Sequence, residues 1–296
     1  MMHESFPTFL ARRRTEIDSR LQDALAPRPG FPERLREAMR YSLLAPGKRL
    51  RPLLVLLAAE TCGSSCSGDP WPAALAVEMV HVYSLIHDDL PAMDNDDLRR
   101  GLPTCHIRFG EGLAILAGDA LLTEAFAILA TSYGDPALCL ELAQAAGASG
   151  MVGGQVDDLA MEAGQVERSL ATLEAVHLRK TGALIRACLR LGVRAACYPA
   201  PPLADLLQRL DQYGYCLGLL FQITDDLLDV MGQSTETGKR VNKDAARNKL
   251  TYPGLLGIEE SRQRATHLVE EARRVIAPLA AQRLEELLTF VLHRDR

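Results

Sequence analysis

The sequence predicts an all-α protein, read as a single domain over residues 1–296. Three observations predict it. Nonpolar residues make up 48% of the chain but aromatic residues only 5%, so the core is built from Leu, Ala, Val and Ile. Leu and Ala favour helix over strand. Nearly every segment repeats its apolar residues at helical period, and none alternates convincingly as a strand does. The breaks fall at Pro/Gly clusters too short to be interdomain linkers. The expected architecture is an apolar helical bundle with polar groups gathered at one end.

Taken in order, helices are expected over 4–25, 32–45, 49–62, 71–90, 110–133, 136–162, 169–195, 203–232, 252–275 and 281–294. Between them lie "APRPGFP" (26–32), "CGSSCSGDPWP" (62–72), "YPAPP" (198–202) and "GQSTETGKRVNKDAARNK" (232–249). No repeat has a fixed solenoid period.

Charge and cysteine content narrow the function. The net charge of −5 argues against nucleic acid as a partner, because phosphate backbones call for a basic face. A local basic pocket for a small phosphorylated ligand remains compatible with it. The first twenty residues contain no apolar signal core. The longest aliphatic run is read as "LLVLLAA" (53–59), short of the roughly 20 residues of a membrane span. No membrane span and a cytoplasmic location are therefore expected. The seven cysteines are scattered, and Cys62 and Cys66 form the only close pair. No second pair completes a zinc motif, so reduced, mostly buried thiols are expected.

Two aspartate clusters carry the chemistry. In "FQITDDLLDV" (221–230), Asp225 and Asp229 are four residues apart and share a helix face. Gln222 lies on that face, Gly218 continues it, and Asp226 sits beside it. Three carboxylates on an otherwise apolar helix repel one another and resist desolvation. A hard divalent cation such as Mg²⁺ offsets them. In "DDLPAMDNDDLRRGLP" (88–103), Asp88 and Asp94 are six apart, out of phase on a straight helix. Pro91 loosens the helix and lets Asp94 swing back toward Asp88. His81 and Ser84 precede Asp88 on one stripe. Carboxylates at a helix C-terminus oppose its dipole, which favours a cation there. Arg99 and Arg100 follow at once, and guanidinium pairs bidentately with phosphate. Lys48, Arg49 and Arg51 in "GKRLRP" cluster at another helix start, itself electropositive. Metal-binding carboxylates beside arginines imply a diphosphate ligand.

These motifs, with "LAGDALL" (116–122), "GGQ" (153–155), "KTG" (180–182) and "KLTYP" (249–253), resemble in their order those of the trans-isoprenyl diphosphate synthases. The bacterial farnesyl diphosphate synthases are the most similar branch. The resemblance implies a helical bundle around a deep central cavity, usually in a homodimer. It implies condensation of isopentenyl diphosphate with allylic diphosphates, with three Mg²⁺ ions. Asp88, Asp94 and Asp225 are then the metal ligands, supported by Asp89, Asp226 and Asp229. Lys48, Arg51, His81 and Arg100 bind isopentenyl diphosphate. Arg99, Lys180 and Lys239 hold the allylic diphosphate, with Lys249 nearby. Thr181 and Gln222 present neutral oxygens to the allylic cation, and Thr181 precedes Gly182 at a weak point of its helix. Tyr83, about 7.5 Å below Asp88 along the axis, and Ser84, one turn below, set product length. An aromatic at Tyr83, with the Pro91–Ala92 insertion, resembles enzymes that stop at fifteen carbons.

Other residues are read as structural. His87 packs, Asp157 and Asp158 form a polar face near the rim, and Tyr213 and Tyr215 belong to the core. A terpene cyclase is disfavoured by "RRGLP" and "DDLLD". A longer-chain synthase and a non-catalytic partner subunit are the remaining alternatives, the first discriminated by Tyr83 and the second by two intact aspartate motifs.

Overall fold

Helix α1 (Phe6–Ala24) begins where Ser5 accepts a hydrogen bond from the Thr8 amide and Pro7 occupies the first turn. Such caps satisfy amides that have no partner inside the helix. The same device starts α7 (Pro136–Ala146) at Asp135 and α9 (Leu170–His177) at Ser169. The structure is a computed structural model and describes residues 4–231 and 249–294.

Helices α2 (Glu33–Leu43), α3 (Leu50–Glu60), α4 (Trp71–Asp88) and α6 (Glu111–Ser132) follow α1, with a short α5 (Cys105–Phe109) before α6. After α9 a π turn, Leu178–Gly182, leads into α10 (Ala183–Cys197). The remainder is α11 (Ala204–Met231), α12 (Tyr252–Leu256), α13 (Ile258–Ile276) and α14 (Gln282–Leu292). Helix α4 packs between α3 and α6, α10 lies against α3 and α11, and α13 covers α11. Leu54, Leu57, Met79, Leu121, Leu189 and Leu220 are fully or almost fully buried between these helices. Each such side chain contributes about 1.5–3 kcal/mol through burial.

Three expectations about elements need correction. The span 136–162 is two helices, α7 and α8 (Met151–Glu162), because Gly147 and Gly150 leave helical geometry between them. The span 252–275 is interrupted by Gly257 at φ 81°, a left-handed conformation that glycine adopts without strain. A two-stranded hairpin, β1 (Leu98–Arg99) and β2 (Leu102–Pro103), stands where no strand was expected. Its turn residues Arg100 and Gly101 both have positive φ, 53° and 79°, the hand that matches strand twist. Strands this short are invisible to a periodicity argument.

Helix α6 (22 residues) is long and apolar enough to cross a bilayer by length and composition alone, a test that core helices also pass. In the structure it packs on α4 and α2, and Ile115 and Leu116 remain exposed on its outer side.

Candidate active site

The first wall is the end of α4. Pro91 halts the helix, and the chain folds back so that the Asp94 amide donates to the Asp88 carbonyl at 2.8 Å. The return predicted for Asp94 is thus made by the backbone. The Asp88 carboxyl is pushed up to about 6. Burial is the main cause, and repulsion from Asp94 and Asp89 adds to it, while Lys180 and Arg99 oppose it. Two clustered carboxylates of this kind fit a hard divalent cation. Asp89 is buried and points elsewhere: Arg99 Nε donates to both its oxygens, at 2.8 and 2.9 Å. Arg99, expected to face a diphosphate, here clamps the loop to the hairpin.

Beside this wall is a cation cluster. Arg51, Arg100, Arg99 and Arg49 all act on His81, and with burial they hold its imidazole well below the usual histidine range, so it is neutral. Arg51 Nε is buried without a hydrogen-bond partner. Arg100 lies against Gly47, where a Cβ would come within 2.5 Å of its Nη1. Arg49, grouped in sequence with Lys48 and Arg51, is different. It caps α3 in a left-handed conformation, φ 50°. Its guanidinium is buried on Asp18 (2.6 Å), Glu78 (2.9 Å) and the Ala45 carbonyl (2.9 Å). Arg49 therefore anchors the loop from which its neighbours reach out. Lys48 is exposed and lines a cavity of ≈ 210 Å³ with Leu10, Phe221 and Arg294.

Lys180 and Thr181 sit in the π turn. A π turn interrupts the regular helical ladder and is a frequent feature of functional sites. Two glycines explain how it is accommodated. A Cβ on Gly154 of α8 would collide with the Lys180 backbone, and one on Gly218 of α11 would lie 3.0 Å from the Gly182 Cα. The turn is gripped between helices that approach almost to backbone contact. Lys180 Nζ donates to Asp158 at 2.6 Å, and Arg179 pairs with Asp157. The Asp158 carboxyl is held low by Lys180 and Lys249 against the cost of burial. Asp158 is thus the counter-charge of the lysines, and Asp157 that of Arg179. Lys249 is half-buried and acts on Asp158 and His177. Lys239 lies outside the described residues.

The second wall is α11. Asp225 is exposed, Gln222 and Asp229 are half-buried, and Asp226 is buried. Asp226 accepts from the Tyr252 amide at 2.9 Å, so it anchors the chain on its return to the bundle. Asp225 acts on Arg51, which links the second wall electrostatically to the cation cluster. It also accepts from Arg294 Nη2 at 2.7 Å.

The match to the polyprenyl synthetase family model spans residues 32–289. The chain belongs to that family. It is 45% identical to the farnesyl diphosphate synthase of Escherichia coli (strain K12), over 98% of this chain and 99% of that protein. It is 42% identical to a chloroplastic geranylgeranyl pyrophosphate synthase of Catharanthus roseus, over 98% of this chain and 82% of that one. Among solved structures it resembles an FPP/GFPP synthase from Zymomonas mobilis, with TM-score 0.83, 38% identity, and 97% and 98% of the two chains covered.

In this polyprenyl synthetase chain, Tyr83 is buried and its ring meets His87 edge-on at 5.6 Å. His87 in turn contacts the Ile115 carbonyl of α6 at 3.1 Å, made possible by Gly118. His87 is thus a packing residue, as expected, and it fixes the Tyr83 ring on the α4–α6 seam. Ser84 donates to the His81 carbonyl at 2.8 Å. Sequence reasoning missed Asp18, Glu78 and Arg294. Glu78 had a signal: it is the one carboxylate inside the apolar run of α4. Asp18 and Arg294 had none, because their partners are distant in sequence.

Proposed function

We propose that the chain condenses isopentenyl diphosphate with dimethylallyl diphosphate and then geranyl diphosphate, head to tail, to give farnesyl diphosphate. One observation carries this reading. A half-buried arginine with an orphaned Nε, beside neutral His81 and Arg100, adjoins the Asp88 carboxyl, whose pKa is raised by burial and by the neighbouring Asp94 and Asp89. A diphosphate arriving with divalent metal would offer the arginine an acceptor and the clustered carboxylates a cation.

Asp88, Asp94 and Asp225 would hold Mg²⁺. When bound, Mg²⁺ neutralises the departing diphosphate as its C–O bond breaks. Arg51, His81 and Arg100 bind the isopentenyl diphosphate, and neutral His81 donates a hydrogen bond without adding charge. Lys180, held by Asp158, would bind the allylic diphosphate with Lys249, and Lys239 is assigned the same role from the sequence resemblance alone. Thr181 and Gln222 orient neutral oxygens toward the allylic carbon, and the apolar bundle excludes water that would quench a cation. The isopentenyl double bond attacks the cation, and the proton then lost passes to the released diphosphate. Tyr83 closes the space below Asp88 and stops growth at fifteen carbons.

We read the enzyme as a homodimer. Val152, Val156 and Leu159 form an exposed apolar stripe on α8, and Ile115 and Leu116 expose another on α6. An apolar surface of this kind marks an interface.

The test is to mix the purified protein with Mg²⁺, isopentenyl diphosphate and dimethylallyl diphosphate and to separate the products by chain length. A dominant fifteen-carbon product is expected. Twenty-carbon product would retain the reaction and remove the role of Tyr83. No product, even from geranyl diphosphate, would remove the catalytic reading.

A further inference from the structure

Cys62 follows the end of α3, Cys66 lies four residues later, and Cys197 is the last residue of α10. Their sulfurs all lie within 4.8 Å of one another. The Cys66 and Cys197 sulfurs are 2.7 Å apart, and none of the three is in a disulfide. Cys62 and Cys197 are buried and Cys66 is half-buried. Cys62 and Cys66 are a lone pair in sequence. The fold brings in the third thiol from 131 residues beyond Cys66.

The backbone around these thiols is fixed. The Gly68 amide donates to the Ala196 carbonyl at 2.7 Å. A Cβ on Gly68 would collide with the carbonyls of Ala195, Ala196 and Tyr198, so the segment lies flush on the end of α10. On the far side, Tyr133 Oη donates to the Asp69 carbonyl, and Tyr198 Oη accepts from the Gly134 amide. The cluster sits at the ends of α3 and α10 remote from Arg51 and Thr181, about 20 Å along α10.

We propose that Cys62, Cys66 and Cys197 form a three-thiolate site for a thiophilic divalent cation of the Zn²⁺/Cd²⁺ class. Zn–S bonds of about 2.3 Å separate ligand sulfurs by about 3.8–4.0 Å. The three sulfurs lie within 4.8 Å of one another, and binding would require the Cys66–Cys197 pair, now at 2.7 Å, to open to that metal-bound separation. Binding replaces three S–H bonds by three S–metal bonds and releases three protons to solvent. A disulfide between Cys66 and Cys197 uses only two of the three sulfurs. Burial raises the pKa of Cys62 and Cys197, which makes them poor nucleophiles toward oxidants, whereas a bound cation supplies the charge that stabilises their thiolates. The ion would tie the α3 end, the 62–68 segment and the α10 end together.

The full chain, reduced and metal-stripped, is titrated with Cd²⁺ alone and then with Zn²⁺. Sulfur-to-metal charge-transfer absorption counts the ions, and alkylation followed by peptide mass spectrometry identifies the protected thiols. One ion per chain is expected, with protection at Cys62, Cys66 and Cys197 together and a raised Tm. Cys66→Ser and Cys197→Ser should each weaken binding at least about tenfold, since even an outer-shell partner is worth that much. Cys139→Ser should leave it unchanged. Cys66 is half-buried, so its serine variant keeps the test available if Cys197→Ser fails to fold. Absence of protection, equal binding by Cys66→Ser, or a Cys66–Cys197 disulfide that forms in the presence of Cd²⁺ would each overturn the proposal.

Discussion

Arg294, near the end of the chain, donates from Nη2 to Asp225 at 2.7 Å and to the Phe221 carbonyl at 2.6 Å. Its guanidinium also lies 4.0 Å from the Phe221 ring centroid. The C-terminal segment thereby rests on the carboxylate that the proposed mechanism gives to a metal ion. A cation entering at Asp225 competes with this guanidinium. Asp225 is about half exposed, so solvent screens the pair and its value is about 1 kcal/mol. Arg294→Gln is therefore expected to lower the Mg²⁺ concentration for half-maximal turnover about five-fold. Steady-state rates across a Mg²⁺ titration check this. An unchanged or raised requirement would mean that Arg294 is no competitor.

Arg49 and Arg51 are neighbours with opposite expected phenotypes. Arg49 is buried on Asp18 and Glu78, and removing it strands a buried carboxylate. Arg49→Ala is expected to cost about 3–5 kcal/mol of stability, read by urea unfolding. Arg51 has an orphaned Nε, and its partner is expected to be the substrate. Arg51→Ala should leave unfolding nearly unchanged and raise KM for isopentenyl diphosphate at least tenfold.

His177 is buried, stacked on Tyr252 at 5.7 Å, and its pKa is depressed to about 4. Burial is the main cause; Lys249 and Lys180 add to it, and Asp158 opposes it. The unfolded chain binds this proton near pH 6.5, and the folded chain does so only near 4. Its contribution to stability is therefore complete above pH 6.5 and is lost as pH falls toward 4. Between pH 7 and pH 5 the wild type should lose about 2 kcal/mol more than His177→Gln. Paired denaturant curves at the two pH values measure the difference, and parallel losses would exclude His177 as the source.

Tyr83→Ala removes the buried ring that His87 and α6 hold in place. It is expected to lengthen the dominant product from fifteen carbons to twenty or more, at a stability cost of about 3 kcal/mol. Chromatography of the products decides it. An unchanged fifteen-carbon product would assign the limit to neighbouring helices.

Much of this protein was legible because its signals are local. Helical period, Pro/Gly breaks and low aromatic content determined the all-α class, and the ordered motifs determined the family. The Pro91 argument anticipated the return of Asp94, and Gly182 marked the weak point that became the π turn. Local signals fail where the decisive neighbour is far away in sequence. Asp225 and Asp226 are adjacent and chemically identical, yet one is exposed on Arg294 and the other buried under the Tyr252 amide. Arg49 and Arg51 diverge because the α3 start turns one toward Asp18 and Glu78 and leaves the other beside His81. Cys197 joins Cys62 and Cys66 only because α10 ends beside α3. Sequence specifies which groups a chain possesses and how each short segment folds. The partner each group meets, and hence its charge state and task, is decided by packing between segments, where desolvation and ion pairing depend on distances of a few ångströms.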